Sequence, residues 1–196
     1  MSKRRLVLEF EGAVHHGSGL GLAGLVDRPF LRDAKGMPYL SGAAIKGKFR
    51  WAALRLLKSQ EITPLCGQVA GQFCRRNPCQ LCRIFGSPRE AGKAFFEDAY
   101  PVEEQQEILM LATVRGRTAG MTVRSTTGID RVRRVVKRYH LFTTETAPPM
   151  TFSANIEGTL DDDWGLLENC AKILTHFGAD GARGLGECRY ILEVNA

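Results

Sequence analysis

Apolar residues with strand-like and helix-like spacing follow one another along this chain in an order that few folds accommodate. They alternate with polar residues over 6–10, 152–156 and 188–194, which predicts three half-buried strands. Residues 94–102 are also predicted to form a strand. Two helices are predicted, the first from Ser41 to Lys58. The apolar positions are Ile45, Phe49, Ala52 and Leu56 in the first helix and Cys170, Ile173, Leu174 and Phe177 in the second.

The order β-α-β-hairpin-β-α-β predicts an α+β fold of the ferredoxin-like type, in which helices cover one face of a sheet. A chain of 196 residues is long enough for one sizeable core, so we predict a single domain over residues 1–196. Two segments fall outside this simple order. Residues 64–92 form a cysteine-rich insertion, and residues 108–148 are predicted to form a protruding hairpin.

The positive charge of the chain is concentrated in one segment. The formal net charge is +6, and eight cations accompany a single acid between Arg115 and Arg138. Such a local excess indicates an anionic partner. Glu9 and Glu11 interrupt any signal-peptide core, and no apolar run approaches the ~18 residues of a transmembrane helix. We therefore expect a cytoplasmic protein with reduced cysteines and no membrane partner.

Residues 26–50, VDRPFLRDAKGMPYLSGAAIKGKFR, combine a loop with the start of the first helix. Ser41 is a suitable N-cap, and Gly42 permits close approach of another group. Lys46 and Arg50 lie four residues apart, on one face of the helix. Because free amides at a helix N-terminus attract anions, these four residues are predicted to hold a phosphate group.

A second candidate phosphate site is the glycine-rich segment 178–190, GADGARGLGECRY. In a dinucleotide-binding fingerprint the glycine-rich loop follows a strand and opens a helix, whereas this segment follows a helix and leads into a strand. A helix-to-strand connection that binds no ligand would need only one glycine, directly after the helix. The additional glycines and a cation favour backbone contact with a phosphate chain. The predicted contacts are Gly181, Arg183, Gly184 and Gly186.

Four of the six cysteines lie in the insertion, with the spacing C-x7-C-x4-C-x2-C. Four thiolates in a short loop suit a tetrahedral structural zinc ion. Unliganded, reduced thiols are the alternative. The predicted ligands are Cys66, Cys74, Cys79 and Cys82. Cys170 and Cys188 occupy core positions and are predicted to act as small hydrophobic residues.

The hairpin mixes cations with the aromatic residues Tyr139, His140 and Phe142. Cations can follow a nucleic-acid backbone while aromatic rings stack on bases, so this composition favours a single-stranded nucleic acid over a solvated charged face. The predicted RNA-binding cations are Arg124, Arg131, Arg133, Arg134, Lys137 and Arg138.

Several motifs in order make the chain similar to the RAMP superfamily, the RNA-binding subunits of CRISPR interference complexes, and above all to the repeated backbone subunit of type III complexes. The motifs are HHGSG, VDRPFLRD, PYLSGAAIKGKFR, IFGSPREAGKAFFEDA, TGIDRVRRVV and GARGLGE. The resemblance implies a modified RNA-recognition-motif fold with a hairpin "thumb". It also implies a guide RNA, a complementary target RNA and other subunits, including copies or paralogues of this chain, as partners.

The same resemblance places the target-cleaving aspartate of the family at Asp27 and adds His16 to the RNA-binding residues. A carboxylate there could bind Mg²⁺ or Mn²⁺ or accept the proton of the attacking 2′-hydroxyl. Asp33 is a rival position that suits a turn. Two alternatives stay open. The chain could be a structural subunit that binds RNA without cutting it, or a stand-alone endonuclease that processes guide RNA with His15 or His16.

Overall fold

The computed structural model describes residues 2–21, 26–62, 65–66, 74, 77–111 and 120–194. The predicted α+β class is confirmed. In chain order the elements are β1 (Ser2–Phe10), α1 (Gly42–Ser59), α2 (Gln80–Phe85), β2 (Ala94–Phe96), β3 (Tyr100–Pro101), α3 (Glu103–Leu111), β4 (Thr122–Asp130), β5 (Val135–Thr146), β6 (Thr151–Gly158), α4 (Trp164–Ile173) and β7 (Cys188–Val194). Within this described part, no helix is both long and apolar enough to cross a membrane.

The main sheet is antiparallel and has the strand order β2-β6-β1-β7, with β3 also paired to β6. The two central strands, β1 and β6, pair with each other although they are far apart in the sequence. Leu8 of β1 pairs with Phe152 of β6. Strand β6 alternates strictly between buried and half-buried residues, as predicted. The ferredoxin-like detail of the fold stays a prediction.

Helix α1 lies on the main sheet through its apolar stripe. Ile45, Phe49 and Ala52 are fully buried. The Phe49 ring lies 5.4 Å from that of Phe96 in β2 and 6.0 Å from that of Tyr190 in β7. These aromatic contacts join both edges of the sheet to one helix, because each ring pair buries a large apolar area at the same point.

The predicted loop 64–92 contains a helix, α2, that the sequence analysis missed. Leu81, Ile84 and Phe85 are buried in the main core. The Arg83 guanidinium donates two hydrogen bonds to the buried Asp163 carboxylate, at 3.1 and 2.7 Å. Asp163 precedes α4, so this ion pair joins the insertion to the second predicted helix.

Three further boundaries differ from prediction. The strand predicted over 94–102 is divided into β2 and β3, because the intervening Ala99 exchanges backbone hydrogen bonds with Leu40 instead. Residues 103–111 form α3, favoured by acidic residues in its first turn, where a strand was predicted from residue 108. Helix α4 ends at Ile173, so Phe177 is buried outside it.

Strands β4 and β5 form a separate two-stranded sheet, which we call the thumb. It is shorter than the predicted hairpin 108–148. The predicted cations Arg115 and Arg117 fall within 112–119 and lie outside the described residues, as do residues 22–25.

Candidate nucleic-acid interface

The loop that carries Asp27 is fastened to the base of the thumb. Oδ2 of Asp27 accepts hydrogen bonds from the Thr143 backbone amide at 2.7 Å and from the Thr143 hydroxyl at 2.8 Å. The backbone hydrogen bond, followed by that of the hydroxyl, lowers the pKa of this exposed carboxyl below its ordinary value. Asp27 is therefore ionised at neutral pH and held by strand β5.

Arg28 connects three parts of the structure. Its guanidinium donates to the Thr144 hydroxyl at 3.0 Å and to the Asp180 carboxylate at 2.8 Å. Asp180 lies in the glycine-rich segment and also pairs with Arg183 at 3.2 Å. The thumb base, the Asp27 loop and the glycine-rich segment consequently meet at Arg28.

A groove of about 590 Å³ lies at this meeting point. Its lining consists of Arg28, Thr126, Thr127, Gly128, Phe142 and Arg183. The two arginines supply positive charge, the threonines supply hydroxyl groups, and the 45% exposed Phe142 supplies an aromatic face. Charge for phosphates, hydrogen bonds for sugars and a ring for bases are the contacts that a nucleic-acid strand requires.

The thumb cations are exposed. The tip is closed by Asp130, whose carboxylate accepts hydrogen bonds from the amides of Val132 and Arg133 at 2.9 and 3.1 Å. Among the described residues, none of the predicted thumb cations forms an ion pair with an acid. The cations in question are Arg124, Arg131, Arg133, Arg134, Lys137 and Arg138. Their positive charge is thus available to a polyanion.

Strand β5 carries a bulge near the thumb tip. The pairing passes from Thr127–Leu141 to Ile129–Val136, so residues 137–140 of β5 lie opposite Gly128 alone. Tyr139, within the bulge, has φ of 60° and is 94% exposed. Positive φ is unusual for an aromatic residue, and such strain concentrates at functional surfaces. An exposed ring of this kind suits stacking on a nucleobase.

The predicted phosphate seat at the start of α1 is already filled by a carboxylate. Ser41 caps the helix as predicted and accepts a hydrogen bond from the Ala44 amide at 3.4 Å. The Gly42 amide donates to the Asp98 carboxylate at 2.7 Å, and Gly42 is buried. Gly42 thus packs closely against the β2–β3 connection, and its contact with RNA stays a prediction.

The two histidines of the HHGSG motif pack against protein groups. His15 is 3% exposed, and its Nδ1 lies 2.7 Å from the Glu145 carbonyl oxygen. His16 accepts a hydrogen bond at Nε2 from the Ser41 amide at 3.1 Å. Burial, followed by the neighbouring His15, lowers the pKa of His16. The neutral, half-buried ring supports the helix start at Ser41, and its contact with RNA stays a prediction.

Lys46 and Arg50 both lie beside the loop that follows α2. Lys46 lines a shallow depression of about 290 Å³ together with residues 85–88 and 90–92. The Arg50 guanidinium donates to the Gly86 carbonyl oxygen at 2.8 Å. Arg50 therefore holds this loop in place, while Lys46 is the cation at its surface.

The glycine-rich segment divides into an exposed half and a buried half. Gly181, Arg183 and Gly184 are exposed, so RNA has access to them, and their contact with RNA stays a prediction. Gly186 is buried, and its amide donates to the Ala13 carbonyl oxygen at 2.9 Å. Gly186 therefore packs closely within the protein, and its contact with RNA stays a prediction.

Substitution of Gly186 with alanine is expected to destabilise the fold more than the same change at Gly184. Both glycines have positive φ, 79° and 77°. A Cβ on Gly186 would also collide with the Phe177 carbonyl oxygen, whereas none of the described atoms lies within 4 Å of one on Gly184. Gly184→Ala should cost about 1–2 kcal/mol from backbone strain alone, and Gly186→Ala clearly more. Urea denaturation of both variants measures the difference, and equal losses would contradict the packing role.

The four cysteines of the insertion come together and could hold a metal ion. Their sulfur atoms all lie within 4.8 Å of one another. Sγ of Cys66 lies 2.9 Å from that of Cys82 and 3.4 Å from that of Cys79. Burial, together with the hydrogen bond to Cys82, raises the pKa of the Cys66 thiol. Cys170 and Cys188 are buried in the core, as predicted.

The sequence analysis missed Arg28, Thr143, Thr144 and Asp180. Arg28 could have been found, because it directly follows Asp27 in the motif VDRPFLRD. The two threonines carried no local signal, since their contacts with residues 27 and 28 span more than a hundred residues. The hairpin register decides which side chains meet there.

A family model of the RAMP superfamily matches residues 7–189 of this chain. Two solved chains share its fold with a TM-score of 0.67, and 97% of each chain is covered in both comparisons. One belongs to the cryo-EM structure of type III-B Cmr-beta in the apo state and is 12% identical. The other belongs to type III-B Cmr-beta bound to cognate target RNA and is 14% identical. No curated protein matches the chain.

The family match spans nearly the whole chain, from the middle of β1 into β7. It includes the Asp27 loop, the cysteine cluster, the thumb and the glycine-rich segment. At 12–14% identity the two solved chains add a shared fold to that match. This chain belongs to the RAMP superfamily.

Proposed function

We propose that this chain, as a single RAMP-type domain over residues 1–196, is a backbone subunit of a type III CRISPR effector complex. In this proposal it holds the guide RNA and cleaves complementary target RNA with Asp27. A similar solved chain comes from a complex bound to cognate target RNA, which supports RNA as the partner. Other subunits, including copies or paralogues of this chain, complete the assembly.

One observation carries the proposal. The ionised Asp27, the exposed cationic thumb and the glycine-rich segment meet at one groove lined by Arg28 and Arg183. The groove lies beside the residue that the family resemblance makes catalytic. A strand that follows the thumb cations into this groove would bring its phosphates close to Asp27. Binding and cleavage then share one continuous surface.

The chemistry of cleavage limits what Asp27 can contribute. In the reaction the 2′-hydroxyl releases its proton to water while its oxygen forms a bond to the adjacent phosphorus, the P–O5′ bond breaks, and the 5′-oxygen takes a proton from water. A carboxyl with a lowered pKa is a weak proton acceptor, so its permanent negative charge suits it better to holding a cation. Arg28 and Arg183 would offset charge on the phosphate.

Mg²⁺ or Mn²⁺ fits the donor set at Asp27. Among the described residues, three or more metal-ligating side chains meet only at the cysteines, so a cation at Asp27 would have at most two protein ligands. Mg²⁺ is commonly bound by one or two carboxylates with phosphate oxygens completing the shell. When bound, it would make the hydroxyl more acidic and neutralise phosphate charge. The RNA itself would supply the remaining ligands.

We also propose that the cysteine cluster binds zinc and that the protein acts in the cytoplasm, where thiols remain reduced. Zn–S bonds of about 2.3 Å in a tetrahedron place the sulfur atoms about 3.8 Å apart. The sulfur separations, all within 4.8 Å, accommodate such an ion after small adjustments. Cys79 directly precedes α2 and Cys82 lies in its first turn, so the ion would fix the start of that helix.

The non-cleaving alternative is favoured by one observation, the engagement of Asp27 with Thr143, because a carboxylate that only fastens the thumb base would make the same contacts. The histidine endonuclease is disfavoured. His15 is buried at 3% exposure, and His16 accepts a hydrogen bond from Ser41.

The experiment that tests the assignment is sequencing of the RNA that copurifies with this protein when it is expressed with its genomic neighbours and a CRISPR array. Discrete RNAs with repeat-derived ends would support a subunit that holds guide RNA. Random cellular RNA, or none, would overturn the assignment.

Reversal of charge at the thumb tip is expected to weaken RNA binding. The triple variant Arg131→Glu, Arg133→Glu, Arg134→Glu should lower the affinity for single-stranded RNA roughly 10- to 100-fold at physiological salt and reduce the salt slope by about two. Fluorescence anisotropy with labelled RNA at several salt concentrations measures both quantities.

The matched control for this variant reverses three exposed lysines outside the thumb and the groove. They are Lys35, Lys58 and Lys172. Both triple variants carry the same net charge, so a difference between them isolates the position of the cations. Equal loss of affinity in the two variants would show that the thumb tip does not contact RNA.

A further inference from the structure

The Thr143 side chain uses both hydrogen-bonding functions of its hydroxyl on Asp27. The hydroxyl donates to Oδ2 of Asp27 at 2.8 Å and accepts from the Asp27 amide at 2.9 Å. The Thr143 amide donates to the same Oδ2 at 2.7 Å. Three contacts between two residues fix both the position of the aspartate backbone and the rotation of its carboxylate.

The backbone around Asp27 is docked along the same strand. The Arg28 amide donates to the Thr143 carbonyl oxygen at 3.0 Å, and the Glu145 amide donates to the Arg28 carbonyl oxygen at 2.9 Å. The Phe30 amide then donates to the Glu145 carboxylate at 2.8 Å. The loop therefore runs beside β5 as a short parallel partner, so its position depends on the base of the thumb.

All three hydrogen bonds between Thr143 and Asp27 use the Asp27 amide or Oδ2. They therefore constrain the direction of the other carboxylate oxygen, Oδ1. A single carboxylate that serves as one ligand among RNA oxygens depends strongly on its orientation. A displacement of about 1 Å in a catalytic arrangement can cost roughly 100-fold in rate.

We propose that Thr143 is a positioning residue for target cleavage, in which its hydroxyl and amide clamp Oδ2 of Asp27 and thereby direct Oδ1 toward the RNA. The proposal rests on the proposed cleavage by Asp27. This role requires a hydroxyl group on residue 143. Valine has the shape of threonine but lacks the hydrogen-bond donor and acceptor, whereas serine keeps both.

The test compares single-turnover cleavage of a complementary target by assembled complexes that carry Thr143→Val, Thr143→Ser, Asp27→Asn or the double variant. Thr122→Val is the matched control, because it removes another thumb-base hydroxyl, one that hydrogen-bonds Thr146 at 2.8 Å. Guide loading and target affinity are measured on every complex. These measurements separate an effect on the chemical step from an effect on folding or binding.

We expect Thr143→Val to cleave about 10- to 100-fold more slowly at saturating target, with guide loading and target affinity unchanged. Thr143→Ser should restore most of the rate, and Thr122→Val should match the unmodified complex. The double variant should be no slower than Asp27→Asn alone, since two residues that act through one interaction are not additive.

Each contrary result has a separate meaning. If Asp27→Asn abolishes cleavage while Thr143→Val cleaves at the normal rate, the positioning role is overturned and the role of Asp27 stands. A serine variant as slow as the valine variant, or a loss of guide or target binding that accounts for the slower rate, also overturns positioning. Normal cleavage by Asp27→Asn overturns both proposals.

Discussion

Cleavage of a paired target RNA is expected to fall by a factor of about 100 to 10,000 when Asp27 is replaced with asparagine. Asparagine has the same size as aspartate, and its side-chain oxygen can still accept from the Thr143 amide, which donates at 2.7 Å to the carboxylate. The substitution removes the negative charge and largely keeps the contact with the thumb. The chemical step should therefore fail while the complex still assembles.

The measurement is the rate of target cleavage by the assembled complex, alongside the amount of guide RNA it contains. Asp33→Asn is the matched control, since Asp33 lies in the same segment and its carboxylate accepts hydrogen bonds within its own turn, from the Lys35 and Met37 amides at 2.9 Å. It should cleave normally. Undiminished cleavage by Asp27→Asn would favour the non-cleaving structural subunit.

Loss of a cluster cysteine is expected to be the most destabilising change in the protein. In the proposed zinc site, Cys79→Ser removes one of four ligands, and α2 would lose the ion at its first turn. That helix contributes the buried Leu81, Ile84 and Phe85 to the core. We expect the free energy of unfolding to fall by more than about 3 kcal/mol, because loss of a metal is among the large single-site effects.

Two measurements check this prediction. Elemental analysis should find about one zinc per unmodified chain and much less in Cys79→Ser, and a chelator should lower the melting temperature of the unmodified protein only. Cys170→Ala is the control, because Cys170 is fully buried outside the cluster. It should cost some stability yet keep its zinc. Equal zinc contents in all three proteins would contradict the metal site.

The helices and strands whose apolar residues recur at a regular spacing could be predicted from the sequence. Strand β6 alternates as expected, and α1 begins after the Ser41 cap. The short helices α2 and α3 were missed for a physical reason. Each has fewer than ten residues, and α2 is held by Asp163 and by core contacts rather than by its own periodicity.

The candidate site was predicted only as separate pieces. Asp27, the thumb cations and the glycine-rich segment were each marked by residue type, but nothing local indicated that Arg28 joins Thr144 to Asp180. Gly42 and Gly186 were marked for close approach of RNA. Glycine tolerates close approach by any neighbour, and at both positions the neighbour is the protein itself.

Among the described residues, the thumb has no apolar interior of its own. It is a lone pair of strands, and Val123, Ile129, Val136 and Leu141 are each more than half exposed. Isolated hairpins of this kind are only marginally stable in water. Contacts that cover these side chains would therefore stabilise its bulge and the left-handed Tyr139. We expect the thumb to become more rigid when a partner binds it.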